Sequence, residues 1–328
     1  MFPNSHSGDK MNIKAAIFAL IAYAIFSSHD VVVKFVSAEV SAFQIVFFSS
    51  LLSFPLLTML MVRDATPGTL RPKHPVWTAM RSLSMSVIPA CAFYAFSVLP
   101  LAQTYALLFA TPLLITLLSI PVLGEKVGLP RMAAVLVGFI GVMIVLRPGE
   151  TELGLGHAAA LLAAFGNAFQ SVILRKLSNV ERRVVLMLFP MLTTVVVMGM
   201  ALPFVYVPLA PTEMGGLAVI AVCGFCATLL LVNAYSIGEA AIVAPMQYSQ
   251  IIWATIFGIL LFGEDVDLLT LVGAGIIIAS GVYIVLREAR GGRSHNTPVL
   301  QTRSRAVTSS GMNVSFFLKR NSAENQSE

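Results

Sequence analysis

The stretch SSHDVVVKF, residues 27–35, places His29, Asp30 and Lys34 near the far end of a run that is apolar from Ile13 onward. A charge in hydrocarbon costs about 3 kcal/mol or more, so it is paired, wetted or used. Asp30 and Lys34 are i, i+4 neighbours on a helix face, and an ion pair between them is available. Lys34 can also snorkel to the near surface. Asp30 lies roughly 6 Å of helix rise from that boundary. Either a paired interfacial anchor results, or Asp30 and His29 face a cavity and bind a solute or a proton.

A second set of residues has polar tips inside apolar runs. Tyr94, Tyr105, Tyr235, Tyr248 and Trp253 carry aromatic faces, and a buried tyrosine hydroxyl needs a partner. Asn167, Gln103, Gln170, Asn233, Gln247 and Gln250 supply amides at similar depth. Aromatic faces with amides suit a planar, mostly neutral heteroaromatic compound; ordinary packing and interhelical hydrogen bonding use the same residues. Arg81 lies a turn or so inside another apolar run. It reads as a snorkelling boundary arginine or as a cation for an anionic group.

The elements that must position these residues are membrane helices. The chain has 328 residues, 57% hydrophobic and 11% charged, against about 25% charged in a soluble domain. Ten apolar runs of about twenty residues lie near 13–35, 40–62, 75–98, 101–123, 130–147, 155–175, 184–206, 215–236, 240–262 and 267–286. Spans three and four are joined by almost nothing at Leu99-Pro100. With the N-terminus on the cytoplasmic side, 19 of the 21 Lys and Arg fall on cytoplasmic flanks, Lys34 and Arg147 excepted. That bias predicts both termini inside and an even number of spans. A cleaved signal peptide is the competing reading of the start, but the apolar run is long and no A-x-A-type site follows it. Residues 288–328 are polar and read as a disordered cytoplasmic tail.

The chain repeats itself. FATPLLITLLSIPVLGE (109–125) matches YSQIIWATIFGILLFGE (248–264), and GVMIVLR (141–147) matches GVYIVLR (281–287). YAFS (94–97) meets NAYS (233–236), and residues 19–37 meet 160–178, with Lys34 over Arg175. The unit is about 140 residues with five spans. Five is odd, so the second copy enters from the opposite side, an inverted repeat of the kind that recurs in secondary transporters. The predicted organisation is an N-terminal segment 1–12, repeats 13–148 and 149–287, then the tail.

LGEKVGLPRMAAVLVGFIGVMIVLRP (123–148) and FGEDVDLLTLVGAGIIIASGVYIVLR (262–287) resemble the paired signatures of the drug/metabolite transporter superfamily, in its EamA-domain branch. The resemblance covers residues 13 to 287. It implies an all-α membrane protein with ten helices in two inverted halves, moving small metabolites across the inner membrane without ATP. By resemblance, helices one, three, four, six, eight and nine line the cavity. Residues 81–112 are similar to a sub-branch with riboflavin and S-adenosylmethionine carriers. In the second copy Gln170 and Ser171 stand where His29 and Asp30 stand in the first, which argues against a symmetric ionic site.

No phosphate loop G-x-x-x-x-G-K-[ST] and no H-E-x-x-H occur. CGFC at 223–226 lacks further metal ligands of the usual kind and reads as packing. No cofactor, catalytic group or nucleic-acid partner is implied; an embedded enzyme or a channel lacks the converging groups or the polar ring it would need. Pro112 and Pro245, in sister spans, are hinge candidates. Ala134/Gly138 and Gly275/Ala279 permit close helix packing or a homodimer contact. The expected function is secondary transport of a small metabolite, with riboflavin-like vitamin uptake as the specific expectation. The alternatives are export of amino acids or uptake of S-adenosylmethionine.

Overall fold

Proline or glycine marks many of the helix boundaries in the computed structural model, at Pro75, Pro100, Gly124, Gly128, Gly154, Pro211 and Gly263. The structure describes residues 5–61, 71–125, 127–149, 152–177, 180–181, 183–237, 240–265 and 267–290. The tail predicted to be disordered lies outside them beyond Arg290. The helices are α1 (Ser5–Val36), α2 (Ala42–Met61), α3 (Pro75–Val98), α4 (Leu101–Leu108), α5 (Thr111–Leu123) and α6 (Leu129–Leu146). The second half holds α7 (Leu155–Leu177), α8 (Arg183–Val205), α9 (Pro211–Ile237), α10 (Ala240–Val243), a 3-10 turn (Ala244–Ser249), α11 (Gln250–Phe262) and α12 (Leu268–Arg290). Among the described residues nine stretches are long and apolar enough to cross a membrane, and Ala42–Pro55 is a shorter apolar helix. α1 begins at Ser5, ahead of the apolar run predicted from Ile13.

Spans four and nine are each broken. The first breaks between α4 and α5 at Phe109-Ala110, and the second ends its 3-10 turn at Tyr248-Ser249. These positions are equivalent in the repeat. Pro112 sits in the first turn of α5, and Pro245 in the 3-10 turn; a ring without an N–H fits such a start and cannot continue a regular ladder. The two break points meet: the Phe109 and Tyr248 rings cross edge to face at 5.0 Å. Both spans then end on the repeated Gly-Glu. Gly124 and Gly263 are left-handed, at φ 71° and 62°, the closure that a residue without Cβ makes cheaply.

The halves are interlocked. The most extensive packing joins α1 to α9, α3 to α7 and α6 to α12, each pair drawing one helix from each repeat. Lipid offers no hydrophobic drive between helices, so small residues that allow close approach carry the contact. Ala15, Ala19 and Ala22 of α1 meet Ala227 and Ala234 of α9. At the α6–α12 crossing, a Cβ on Gly141 would lie 2.7 Å from the Gly273 carbonyl oxygen, and a Cβ on Gly138 2.7 Å from Ser280 Oγ. The Ser280 hydroxyl donates to the Ala134 carbonyl at 2.7 Å. Ala134/Gly138 thus packs inside the bundle, whereas Gly275 has open space at its Cβ position and Ala279 is exposed. Gly141→Ala is expected to destabilise the fold by about 1–3 kcal/mol, because backbone must shift. Thermal unfolding in detergent reads this, and an unchanged midpoint would count against the crossing.

Candidate functional site

Asp30 is 1% exposed and His29 fully buried, both near the C-terminal end of α1. His29 Nδ1 lies 2.7 Å from Asp30 Oδ1. The Tyr105 hydroxyl of α4 donates to the other carboxylate oxygen, and Gln250 Nε2 of α11 donates to the Tyr105 oxygen at 3.1 Å. One carboxylate thereby joins α1, α4 and α11, and so both repeats. The α4 and α11 contributors flank the two helix breaks. Aromatic rings wall the cluster. Phe93 lies 5.9 Å from the His29 ring, and Tyr105 stands between Phe96 at 5.3 Å and Phe109 at 6.0 Å. Tyr248 continues the row beyond Phe109. His29 Nε2 is buried with no hydrogen-bond partner. A buried polar atom left open carries a desolvation cost, which a hydrogen-bonding group reaching it would relieve.

One turn nearer that end, Lys34 makes its ion pair with Glu264 and not with Asp30. Its Nζ is 2.5 Å from Glu264 Oε1 and donates to the Leu99 carbonyl at 2.7 Å. Glu264 Oε2 accepts the Leu101 N–H at 2.9 Å. The pair therefore ties α1 and the end of α11 to the Leu99-Pro100 corner, across the two repeats. Lys34 also lies 5.2 Å from the centre of the Phe262 ring. Gly258 makes room for the carboxylate: a Cβ there would lie 2.6 Å from Glu264 Oε2. Beside the pair a cavity of about 210 Å³ is lined by Gln103, Arg147, Thr255, Asp265 and Asp267 among others. Arg147 pairs with Asp267 across α6 and α12. The repeat partners of Lys34 and Glu264 are Arg175 and Glu125, at the opposite end of the bundle; the Arg175 side chain lies outside the described residues.

The other sequence-predicted residues are dispersed. Gln103, which lines the cavity, has its Nε2 3.2 Å from His157 Nε2. Tyr94 is exposed on α3. Trp253 is half-buried and stacks on Phe257 at 6.1 Å. Tyr235 packs in a satellite cluster with Tyr23 and Phe26, and Asn233 and Gln247 are half-buried. Asn167 and Gln170 are buried on α7, and Gln170 Oε1 has no hydrogen-bond partner. Arg81 is buried between α3 and α8, its Nη1 donating to the Leu186 carbonyl at 2.5 Å. On α9, Cys223 is half-buried and Cys226 exposed, both as free thiols. Sequence reasoning missed Glu264 as a site residue, though its signal was present: a carboxylate repeated after a left-handed glycine at the ends of sister spans.

Apolar helices threaded as two interlocked repeats, with broken sister spans meeting beside a buried carboxylate, define a multi-pass helical membrane protein with transporter architecture. The family comparison agrees. The signature of the EamA-like transporter family matches residues 13–147 and again 154–287. The chain belongs to that family, within the drug/metabolite transporter superfamily, and is a multi-pass protein of the inner membrane. It is similar to the S-adenosylmethionine uptake transporter of Rickettsia bellii, at 25% identity over 83% of this chain and 93% of the relative. It is similar to the pseudopaline exporter of Pseudomonas aeruginosa, at 30% identity over 84% and 96%. The riboflavin transporter of Rhizobium johnstonii matches at 27% identity over 85% and 93%. A solved crystal structure shares the fold with a TM-score of 0.56 and 18% identity, covering 84% of this chain and 98% of that one.

Proposed function

We propose that the chain is a secondary carrier that moves a planar, hydrogen-bonding heteroaromatic metabolite by alternating access, with uptake of a riboflavin-like vitamin as the specific reading. The observation that carries it is the Asp30 cluster. A carboxylate, an open imidazole nitrogen and a tyrosine hydroxyl converge among aromatic rings where both repeats meet. Aromatic faces stack a fused ring system, and the polar tips read its edge. With both termini in the cytoplasm, the Lys34–Glu264 pair closes the outer end. Glu125 and Arg175 stand at the inner end in the inverted copy. Exchanging one closure for the other would expose the cluster to each side in turn. Asp30, with His29, is also the candidate proton-coupling group.

Growth of riboflavin-auxotrophic cells at low external vitamin tests the substrate. Expression of the chain is expected to rescue growth. Tyr105→Phe, which removes one hydroxyl from the cluster, is expected to cut uptake about tenfold, the effect of one buried hydrogen bond. Absence of rescue with the protein in the membrane would overturn the vitamin assignment. A second reading, uptake of S-adenosylmethionine, is favoured by the Asp30 carboxylate, which complements a sulfonium or ammonium cation. Counterflow of labelled S-adenosylmethionine in proteoliposomes separates the two.

A further inference from the structure

We infer that Thr78, Arg81 and Ser82, on one face of α3, form a subsite for an anionic oxygen group, a carboxylate or a phosphate. The three positions are spaced i, i+3 and i+4, so they share one helix face. They are 2%, 4% and 2% exposed. Thr78 Oγ1, Arg81 Nε and Ser82 Oγ are all buried with no hydrogen-bond partner. The bond from Arg81 Nη1 to the Leu186 carbonyl is neutral on its acceptor side and does not balance the charge. Among the described residues no carboxylate forms an ion pair with Arg81. Glu181, an acid at this end of α3, turns Oε1 to the His74 N–H at 2.5 Å. The neighbouring surface is apolar: Ile173, Leu177 and Leu186 cluster there with Trp77. Lys176, 4.1 Å from the centre of the Trp77 ring, adds a second cation nearby.

A guanidinium taken out of water without a counter-charge is costly, and so is each buried hydroxyl left open. Three such groups on one helix face share a remedy. An oxyanion presents several acceptor oxygens at once, so one edge of the guanidinium and two hydroxyls can bind it together. A single halide offers no such set of acceptors. The oxyanion has two sources, a group on the transported solute or the headgroup of an anionic lipid at this end of the bundle. The first source rests on the carrier reading; the subsite itself does not.

The full chain in neutral phosphatidylcholine nanodiscs supplies the test, with thermal unfolding as the readout. In one arm inorganic phosphate or acetate replaces chloride at constant ionic strength. In the other arm part of the lipid is replaced by phosphatidylglycerol. The wild type is expected to gain about 3 °C in one arm, as binding to the folded state requires. A gain with soluble anions assigns the site to a solute group, and a gain only with phosphatidylglycerol assigns it to a lipid. Arg81→Gln is expected to lose the gain in both arms and, without anions, to be at least as stable as the wild type. Ser82→Ala, which leaves the guanidinium in place, is expected to lose about half the gain and serves if Arg81→Gln does not fold. No gain in either arm, equal gains in wild type and variant, or a variant less stable in neutral lipid without anions would each overturn the subsite. None of these readouts requires transport, so the carrier reading stands or falls on the growth assay separately.

Discussion

Asp30→Asn is expected to abolish accumulation of substrate against its gradient while leaving exchange across the membrane intact. The side chain keeps its volume, so the contacts with Tyr105 and His29 can be remade in part. What is lost is the capacity to take up and release a proton. Moving one charge through a potential of 100 mV is worth about 2.3 kcal/mol, which sustains a gradient of about 50-fold. If one proton travels with each solute, the variant should fall from that ratio to unity in energised vesicles. Counterflow, in which labelled solute enters against unlabelled solute inside, needs no proton movement and should persist. Accumulation that survives the substitution would move the coupling group away from Asp30. Loss of both accumulation and counterflow would mean that the carboxylate charge itself is needed to hold the solute, beyond what an amide supplies, or that the group is structural. His29→Gln is the companion: it retains a polar tip beside Asp30 but no titratable ring, and it should lower accumulation less.

Much of the architecture was legible because membranes impose simple rules. Backbone in hydrocarbon must satisfy itself, so each apolar run of sufficient length becomes a helix. The Leu99-Pro100 split follows because proline restricts the residue before it and ends the ladder. The repeat offset carries further, since it places Phe109 over Tyr248 and so aligns the two breaks. The partners of the charged residues were not legible in the same way. Asp30 and Lys34 are neighbours in sequence, and local spacing favours pairing them. The structure instead gives Lys34 a carboxylate 230 residues away, in the other repeat, and gives Asp30 to Tyr105. The first contact needs the two halves to interlock and the second needs α1 to pack beside α4 within one half; helical periodicity encodes neither. The aromatic set divides for the same reason. Tyr105 and Tyr248 stand at the broken spans and turn inward, while Tyr94 shares a span with Phe93 and Phe96 but lies on its outer face.

Glu264→Gln is expected to release the closure at the Lys34 end. The wild-type carboxylate accepts from Lys34 and from the Leu101 N–H, so it holds α1, α11 and the α3–α4 corner together. Glutamine can still accept one of these bonds but cannot neutralise the ammonium. Lys34 and Glu264 each retain 14% exposure, so the loss is smaller than for a fully buried pair, about 1–2 kcal/mol. That shifts a two-state closure about tenfold toward its open form. A single cysteine at position 103, in a background lacking Cys91, Cys223 and Cys226, reports it through labelling by a membrane-impermeant maleimide. The rate from the Lys34 side should rise about tenfold. The swap of Lys34→Glu with Glu264→Lys should restore closure only in part, because the exchanged groups face the Leu99 carbonyl and the Leu101 N–H with the wrong polarity. Glu125→Gln, the inverted-repeat counterpart, should act in the opposite sense. It weakens the far end, favours the state closed at Lys34 and slows labelling at 103. If both substitutions change the rate in the same direction, the two ends are not alternatives of one equilibrium, and the pair at Lys34 is a static staple.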